Sequence, residues 1–194
     1  MGNDWETLRR QITGGLGLMS TGLPWWTYDA GGFFRPWNQY SDAAYQRRMI
    51  RWIQASVWLP VMRVHGYQSH TEPWCYPDSI SDLFTAAIRQ RYALKPYIAE
   101  CARRVSREGY TLMRPLVFDF PDDEEALRQR AEYMFGPRYL VCPVTSDEAE
   151  TNVYLPRQEG GWKRLDNGQT YEGGGYVTVP NDLSFIPVFE RKVP

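Results

Sequence analysis

An α/β unit followed by an all-β unit is the fold class that this sequence predicts, and three observations carry it. Over residues 1–109, apolar stripes at helical spacing alternate with two short apolar runs. Each of those runs ends in polar residues and glycine, Asp29-Ala30-Gly31-Gly32 and His65-Gly66. From Tyr110 onward the apolar runs shorten, and turn residues such as Asp166-Asn167-Gly168 and Gly173-Gly174-Gly175 separate them. The first part thus reads as strands with covering helices, and the second, residues 110–194, as a β-sandwich appendage.

The elements follow in order. Asp4 is placed as the N-cap of a first helix, with Trp5, Leu8 and Ile12 on one face and Gly14-Gly15 ending it. Residues 16–29 form an apolar run that closes in a Trp-rich strand tipped by Asp29. Ser41 or Asp42 caps a second helix carrying Tyr45, Met49, Trp52 and Ile53, which ends before Pro60. Residues 61–66 are a short strand. Ser81 caps a long helix to about Glu108, broken or kinked at Pro96 and stopped by Gly109. Strands are then expected at 112–120, 139–144, 152–155, 162–165, 176–179 and 186–189, with a short helix over 122–130.

Composition narrows function. Lys and Arg number 22 against 23 Asp and Glu, which argues against nucleic acid or an anionic membrane as the main partner. No run is long and apolar enough for a membrane span, and Met1–Trp5 does not read as a secretion signal. Cys75, Cys101 and Cys142 lie far apart without metal-ligand spacing, so they read as free thiols. No cofactor and no metal site are implied. Aromatics make up 15% of the chain, with eight Trp, which fits either a large aromatic core or a surface that stacks on a ligand.

The stretch Leu23-Pro24-Trp25-Trp26-Thr27-Tyr28-Asp29-Ala30-Gly31-Gly32-Phe33 focuses that choice. A carboxylate bonds sugar hydroxyls, and aromatic rings cover the apolar C–H face of a pyranose. Glycine-rich ends also arise when an Asp merely caps its own loop. Trp25 and Trp26 alternate along the strand, so they face opposite sides, one inward and one against the helices. Neither is taken as a sugar platform. The arginine clusters and Asp122-Asp123-Glu124-Glu125 read as solvated helix faces and a dipole-favoured helix start.

The residues now reached resemble glycoside hydrolase family 31, the retaining α-glucosidases and α-xylosidases. The landmarks run in the family's order: Asp4-Trp5-Glu6-Thr7-Leu8-Arg9-Arg10-Gln11, the strand ending in Asp29-Ala30-Gly31-Gly32-Phe33, Met62-Arg63-Val64-His65-Gly66, and Glu72-Pro73-Trp74. Arg91–Tyr97, Met113-Arg114-Pro115-Leu116, Tyr133–Pro137, Val153–Pro156 and Ile186–Phe189 continue the series. Departures occur at Ala30 and at Cys75-Tyr76-Pro77.

The resemblance implies the last two β/α units of a (β/α)8 TIM barrel, then the proximal C-terminal β-domain. It implies a parent enzyme that acts on terminal α-linked xylose or glucose of oligosaccharides. Phe33–Trp37 and the Trp-Trp-Thr-Tyr-Asp context lean towards α-xylosidase. Retaining glycosidases work with two carboxyls about 5 Å apart. The resemblance assigns neither to this chain: the nucleophile and the acid would lie upstream, so no catalytic residue is expected here. It carries Asp29, Phe33 and His65 over as substrate-binding residues. Arg63, two residues before His65, is expected to be a buried partner for a carboxylate that holds the strand end, while Glu72 anchors the loop and His70 stays on the surface. The chain alone is expected to be inactive, and two barrel strands alone are expected to expose apolar surface and an open edge. The missing barrel portion, or self-association, would cover these. The competing readings are a non-catalytic carbohydrate-binding fragment, and an α-glucan lyase or transglycosidase on the same fold.

Overall fold

The computed structural model describes residues 2–192; Met1, Val193 and Pro194, with the start and end of the expected domains, lie outside the described residues. Four helices come first: α1 (Trp5–Ser20), α2 (Ala43–Ser56), α3 (Asp78–Ala93) and α4 (Lys95–Glu108). Eight short strands follow: β1 (Met113–Pro115), β2 (Tyr133–Phe135), β3 (Tyr139–Val141), β4 (Glu150–Leu155), β5 (Trp162–Arg164), β6 (Thr170–Tyr171), β7 (Gly175–Pro180) and β8 (Val188–Arg191).

Asp4 caps α1, its Oδ1 accepting from the Thr7 N–H at 2.7 Å. The expected stop at Gly14-Gly15 is wrong, because α1 continues to Ser20. Gly15 permits a close approach instead of ending the helix. A Cβ on Gly15 would fall on the Trp26 indole, whereas one on Gly14 meets nothing within 4 Å. Asp42 caps α2 through the Tyr45 N–H, and the predicted stripe of Tyr45, Met49, Trp52 and Ile53 is fully buried.

One correction concerns the next helices. The expected helix from Ser81 starts earlier, at Asp78 behind Pro77; the expected break is present as two helices joined at Leu94, with Pro96 in the first turn of α4. Proline fits that turn because its missing N–H would have no helical partner there. Gly109 ends α4 in the left-handed conformation, φ +66°, as expected.

Residues 23–29 and 61–65, expected as strands, form no regular strand but lie side by side, joined by two backbone hydrogen bonds. The Val61 N–H donates to the Trp26 carbonyl at 3.1 Å, and the Ala30 N–H to the Arg63 carbonyl at 3.2 Å. Both partners advance together, so the segments run parallel. Trp26 and Tyr28 turn towards the helices, while Leu23, Trp25, Val61, Arg63 and His65 lie on the open side.

The second part is antiparallel throughout. Six strands form one sheet in the order β1-β2-β3-β8-β5-β6, and β4 pairs with β7 in a second. Several expected strands shrink. Residues 116–118 and 126–128 are 3₁₀ turns, so the first strand is only Met113–Pro115 and the expected helix over 122–130 is a single turn. Strands β2 and β6 were not anticipated. Along β2, Tyr133 and Phe135 enter the core shared with the helices, and Met134 enters the core under the two-stranded sheet. Leu140 of β3 and Phe189 of β8 repeat this alternation, so the strands β2, β3 and β8 of the six-stranded sheet are buried on both faces.

Contacts tie the two parts together. Arg51, on α2, donates to the carbonyls of Phe185 and Asn181, and Gln54 donates to Leu183 O at 2.7 Å. Tyr133 OH reaches Trp58 O at 3.0 Å, and Trp5 Nε1 reaches Asp147 Oδ2 at 2.8 Å.

Candidate functional site

The two parallel segments end together, and the polar residues of the expected site lie at those ends. Asp29 is 8% exposed. Arg63 donates to Asp29 Oδ1 from Nε at 2.7 Å and again from Nη2. The expected pairing of Arg63 with a strand-end carboxylate is therefore present, although the arginine side chain is half exposed. Both bonds fall on one oxygen; Asp29 Oδ2 has no hydrogen-bond partner among the described residues. A pair with one exposed partner contributes little to stability, so its consequence is chiefly orientation.

After Asp29 the chain reverses through Gly31 and Gly32, with φ +89° and +87°. Side chains avoid this region, and Gly32 has a second constraint: a Cβ would sit 2.6 Å from Asn3 Cβ and from the Gly2 carbonyl. The reversal delivers Phe33 beside His65, with ring centroids 5.6 Å apart. Phe34 and Tyr67 extend the cluster, at 4.9 and 5.7 Å from Phe33, and the Tyr67 N–H donates to the Phe33 carbonyl at 2.7 Å. His65 is solvent-exposed, and Phe33 is half-buried. The fold thus gathers Asp29, Arg63, Phe33 and His65 at one pair of adjoining chain ends.

Other candidates stand apart. The His70 side chain is 80% exposed, as expected. Glu72 accepts from the Thr71 N–H at 2.8 Å, which fits loop anchoring. Trp26 packs on α1, and Trp25 is exposed on the open side. The three cysteines are free thiols, and no cluster of metal-ligating side chains occurs among the described residues. Among the described residues, no helix is long and apolar enough to cross a membrane.

Sequence reasoning missed three residues beneath the site. Arg35, Tyr45 and Tyr76 hold the reversal from below. Tyr45 OH donates to Gly31 O at 3.0 Å, and Arg35 Nη1 donates to Tyr76 OH at 2.8 Å. Burial pushes both tyrosine hydroxyls above the ordinary phenol range, so they remain protonated donors. The aromatic loop Phe33–Trp37 was the available signal for Arg35, because a lone cation among rings needs a polar partner nearby.

Known proteins match this arrangement along its whole length. The Glycosyl hydrolases family 31 TIM-barrel domain matches residues 1–101, and the Glycosyl hydrolase family 31 C-terminal domain matches residues 109–192. An α-xylosidase of Saccharolobus solfataricus is 42% identical over 97% of this chain, and human neutral α-glucosidase AB is 32% identical over 97%. These spans are 25% and 20% of the relatives' lengths, so the chain corresponds to about a quarter or less of each. A family 31 α-xylosidase from a soil metagenome, solved with xylose, superposes with a TM-score of 0.93 at 32% identity, covering all of this chain and 31% of that one. A Flavobacterium johnsoniae family 31 dextranase solved with glucose gives 0.89 at 31% identity, over 97% and 23%. The helices and parallel segments are therefore the C-terminal portion of a TIM barrel, followed by the all-β domain, and the chain belongs to glycosyl hydrolase family 31.

Proposed function

We propose that this chain supplies the sugar-binding half of a retaining α-glycoside hydrolase site acting on terminal α-linked xylose or glucose, divided at residue 109 into barrel and β-domain portions. One observation carries the reading. Asp29 is held by Arg63 through Oδ1 alone, which leaves Oδ2 to accept from a sugar hydroxyl beside Phe33 and His65. A hydrogen bond to a charged group contributes about 1.5–3 kcal/mol. Phe33 offers a face for the pyranose C–H groups, and His65 offers a ring nitrogen to a second hydroxyl. The relatives' names support xylose or glucose as the sugar, and the loop Phe33–Trp37 favours xylose.

Bond cleavage with retention needs two carboxyls about 5 Å apart. Asp29 is the single acidic residue within 23–34 and 61–71, and its role here is binding. The nucleophile and the acid are assigned to the portion of barrel outside this sequence. An oligosaccharide is the partner, and the rest of the barrel covers the open side. The isolated chain should not hydrolyse p-nitrophenyl α-xyloside or α-glucoside. Turnover that survives purification and disappears in Asp29→Ala would overturn this assignment. In the complete polypeptide, Asp29→Asn should lower kcat/KM at least tenfold, and unchanged kinetics would remove Asp29 from the site.

A further inference from the structure

We infer that Arg35 is a positioning residue that sets where Asp29 and Phe33 meet the substrate, an inference that rests on the sugar-binding reading above. The reversal between these two residues consists of Ala30, Gly31 and Gly32, and all three of its carbonyls are occupied by side chains. Arg35 Nη2 donates to Ala30 O at 2.9 Å, Tyr45 OH to Gly31 O, and Arg35 Nε to Gly32 O at 3.3 Å. The remaining guanidinium nitrogen, Nη1, donates to Tyr76 OH, which in turn donates to Gln39 Oε1 at 2.9 Å. Gln39 is buried.

Two features separate this arginine from an ordinary surface cation. Arg35 forms no ion pair with a carboxylate among the described residues, so its donors serve the backbone, one hydroxyl and the Met49 sulfur. It also lies between both chain ends of the site. A Cβ on Gly31 would sit 3.2 Å from Arg35 Nη2, and one on Gly66, directly after His65, would sit 2.8 Å from Arg35 Nε. A single planar group thus spaces the Asp29–Phe33 reversal from the turn that follows His65. Two consecutive positive φ angles leave the reversal intrinsically loose, because glycine is free to leave them. The guanidinium fork removes that freedom by gripping alternate carbonyls, which a lysine ammonium on a flexible stem does not reproduce.

The test uses the complete polypeptide that contains these residues, with p-nitrophenyl α-xyloside and α-glucoside. Arg35→Lys should lower kcat about 10- to 100-fold, the loss that a misplacement of order 1 Å brings, with a smaller change in KM. Tyr76→Phe, which removes only the hydroxyl behind the guanidinium, should lower kcat in the same pattern by a smaller factor. It carries the test if Arg35→Lys fails to fold. The discriminating readout is coupling. If Arg35 acts through the reversal, Tyr76→Phe and Arg35→Lys should each lose most of their effect on a Phe33→Leu background, whereas a general loss of structure adds to it. Additive losses, or kcat within twofold of wild type in both variants, would overturn the inference. Asp29→Asn keeps the two readings distinguishable. A loss there with unaffected Arg35 and Tyr76 variants refutes only the positioning role, and no loss in Asp29→Asn refutes the site itself.

Discussion

Replacing Glu132 by Gln should make the protein more stable at mildly alkaline pH and leave it unchanged in mild acid. Glu132 lies just before β2 and is 9% exposed. Its Oε1 accepts from the Tyr154 N–H at 3.0 Å, and its Oε2 is buried without a partner. Burial raises its carboxyl from the ordinary range to about 8, and the bond from Tyr154 only partly opposes this. The sign follows from linkage. Above about pH 4.5 the unfolded chain releases this proton, while the folded chain keeps it until about pH 8, so the folded state binds more protons and stability falls as pH rises through that window. Each pH unit costs about 1.4 kcal/mol, and the window of some 3.5 units gives roughly 5 kcal/mol as an upper figure. Glutamine keeps the acceptor for Tyr154 and loses the titration. Thermal melts of wild type and Glu132→Gln in buffers from pH 4.5 to 8.5 are the assay. The two should coincide near pH 4.5 and then diverge by about 3–5 °C per pH unit, since 1 kcal/mol moves a chain of this size by about 2–4 °C. Parallel curves across the series would refute the buried, protonated carboxyl.

The glycines of α1 give a paired test. Gly15→Ala should destabilise by about 1–3 kcal/mol because its Cβ falls on Trp26, while Gly14→Ala, with open space around it, should stabilise by up to about 1 kcal/mol in chemical denaturation. Arg51 is 4% exposed and serves the carbonyls of Phe185 and Asn181. Arg51→Met should leave both unsatisfied at a cost of about 3 kcal/mol, with faster hydrogen exchange over residues 181–186. Analytical ultracentrifugation of the isolated chain should show concentration-dependent association, because Leu23, Trp25 and Val61 are 55%, 47% and 42% exposed on the open side. A monomer at all concentrations would refute that.

Capping and periodicity were legible where one short signal decides the outcome. Asp42 with its buried stripe defined α2, and Gly109 marked the end of α4, because each acts through its own backbone geometry. The reach of α1 was not legible, since Gly15 answers to Trp26, a neighbour beyond the helix's own end. Strand β2 was hidden for a similar reason. Its three residues are buried on both faces, so no alternation of polar and apolar residues marks them. At the candidate site, strand-end position and family resemblance pointed to Asp29, Phe33 and His65, and the two-residue offset from His65 pointed to Arg63; the fold brings these four together. Arg35 was not found, because its four partners, two backbone carbonyls, the Tyr76 hydroxyl and the Met49 sulfur, are brought to it by the fold, and only its place in the aromatic loop marked it.

The six-stranded sheet bears on how this protein tolerates division. Its β2, β3 and β8 residues fill the helical core on one side and a second core on the other. A break in the chain near Gly109 therefore severs a covalent link without separating two self-sufficient bodies. The two pieces, produced as separate polypeptides, would each expose the apolar face that the other covers in this fold. Such a protein lends itself to reassembly from halves and resists exchange of its β-domain for an unrelated one, because a graft must bring the helical face that its sheet was shaped against.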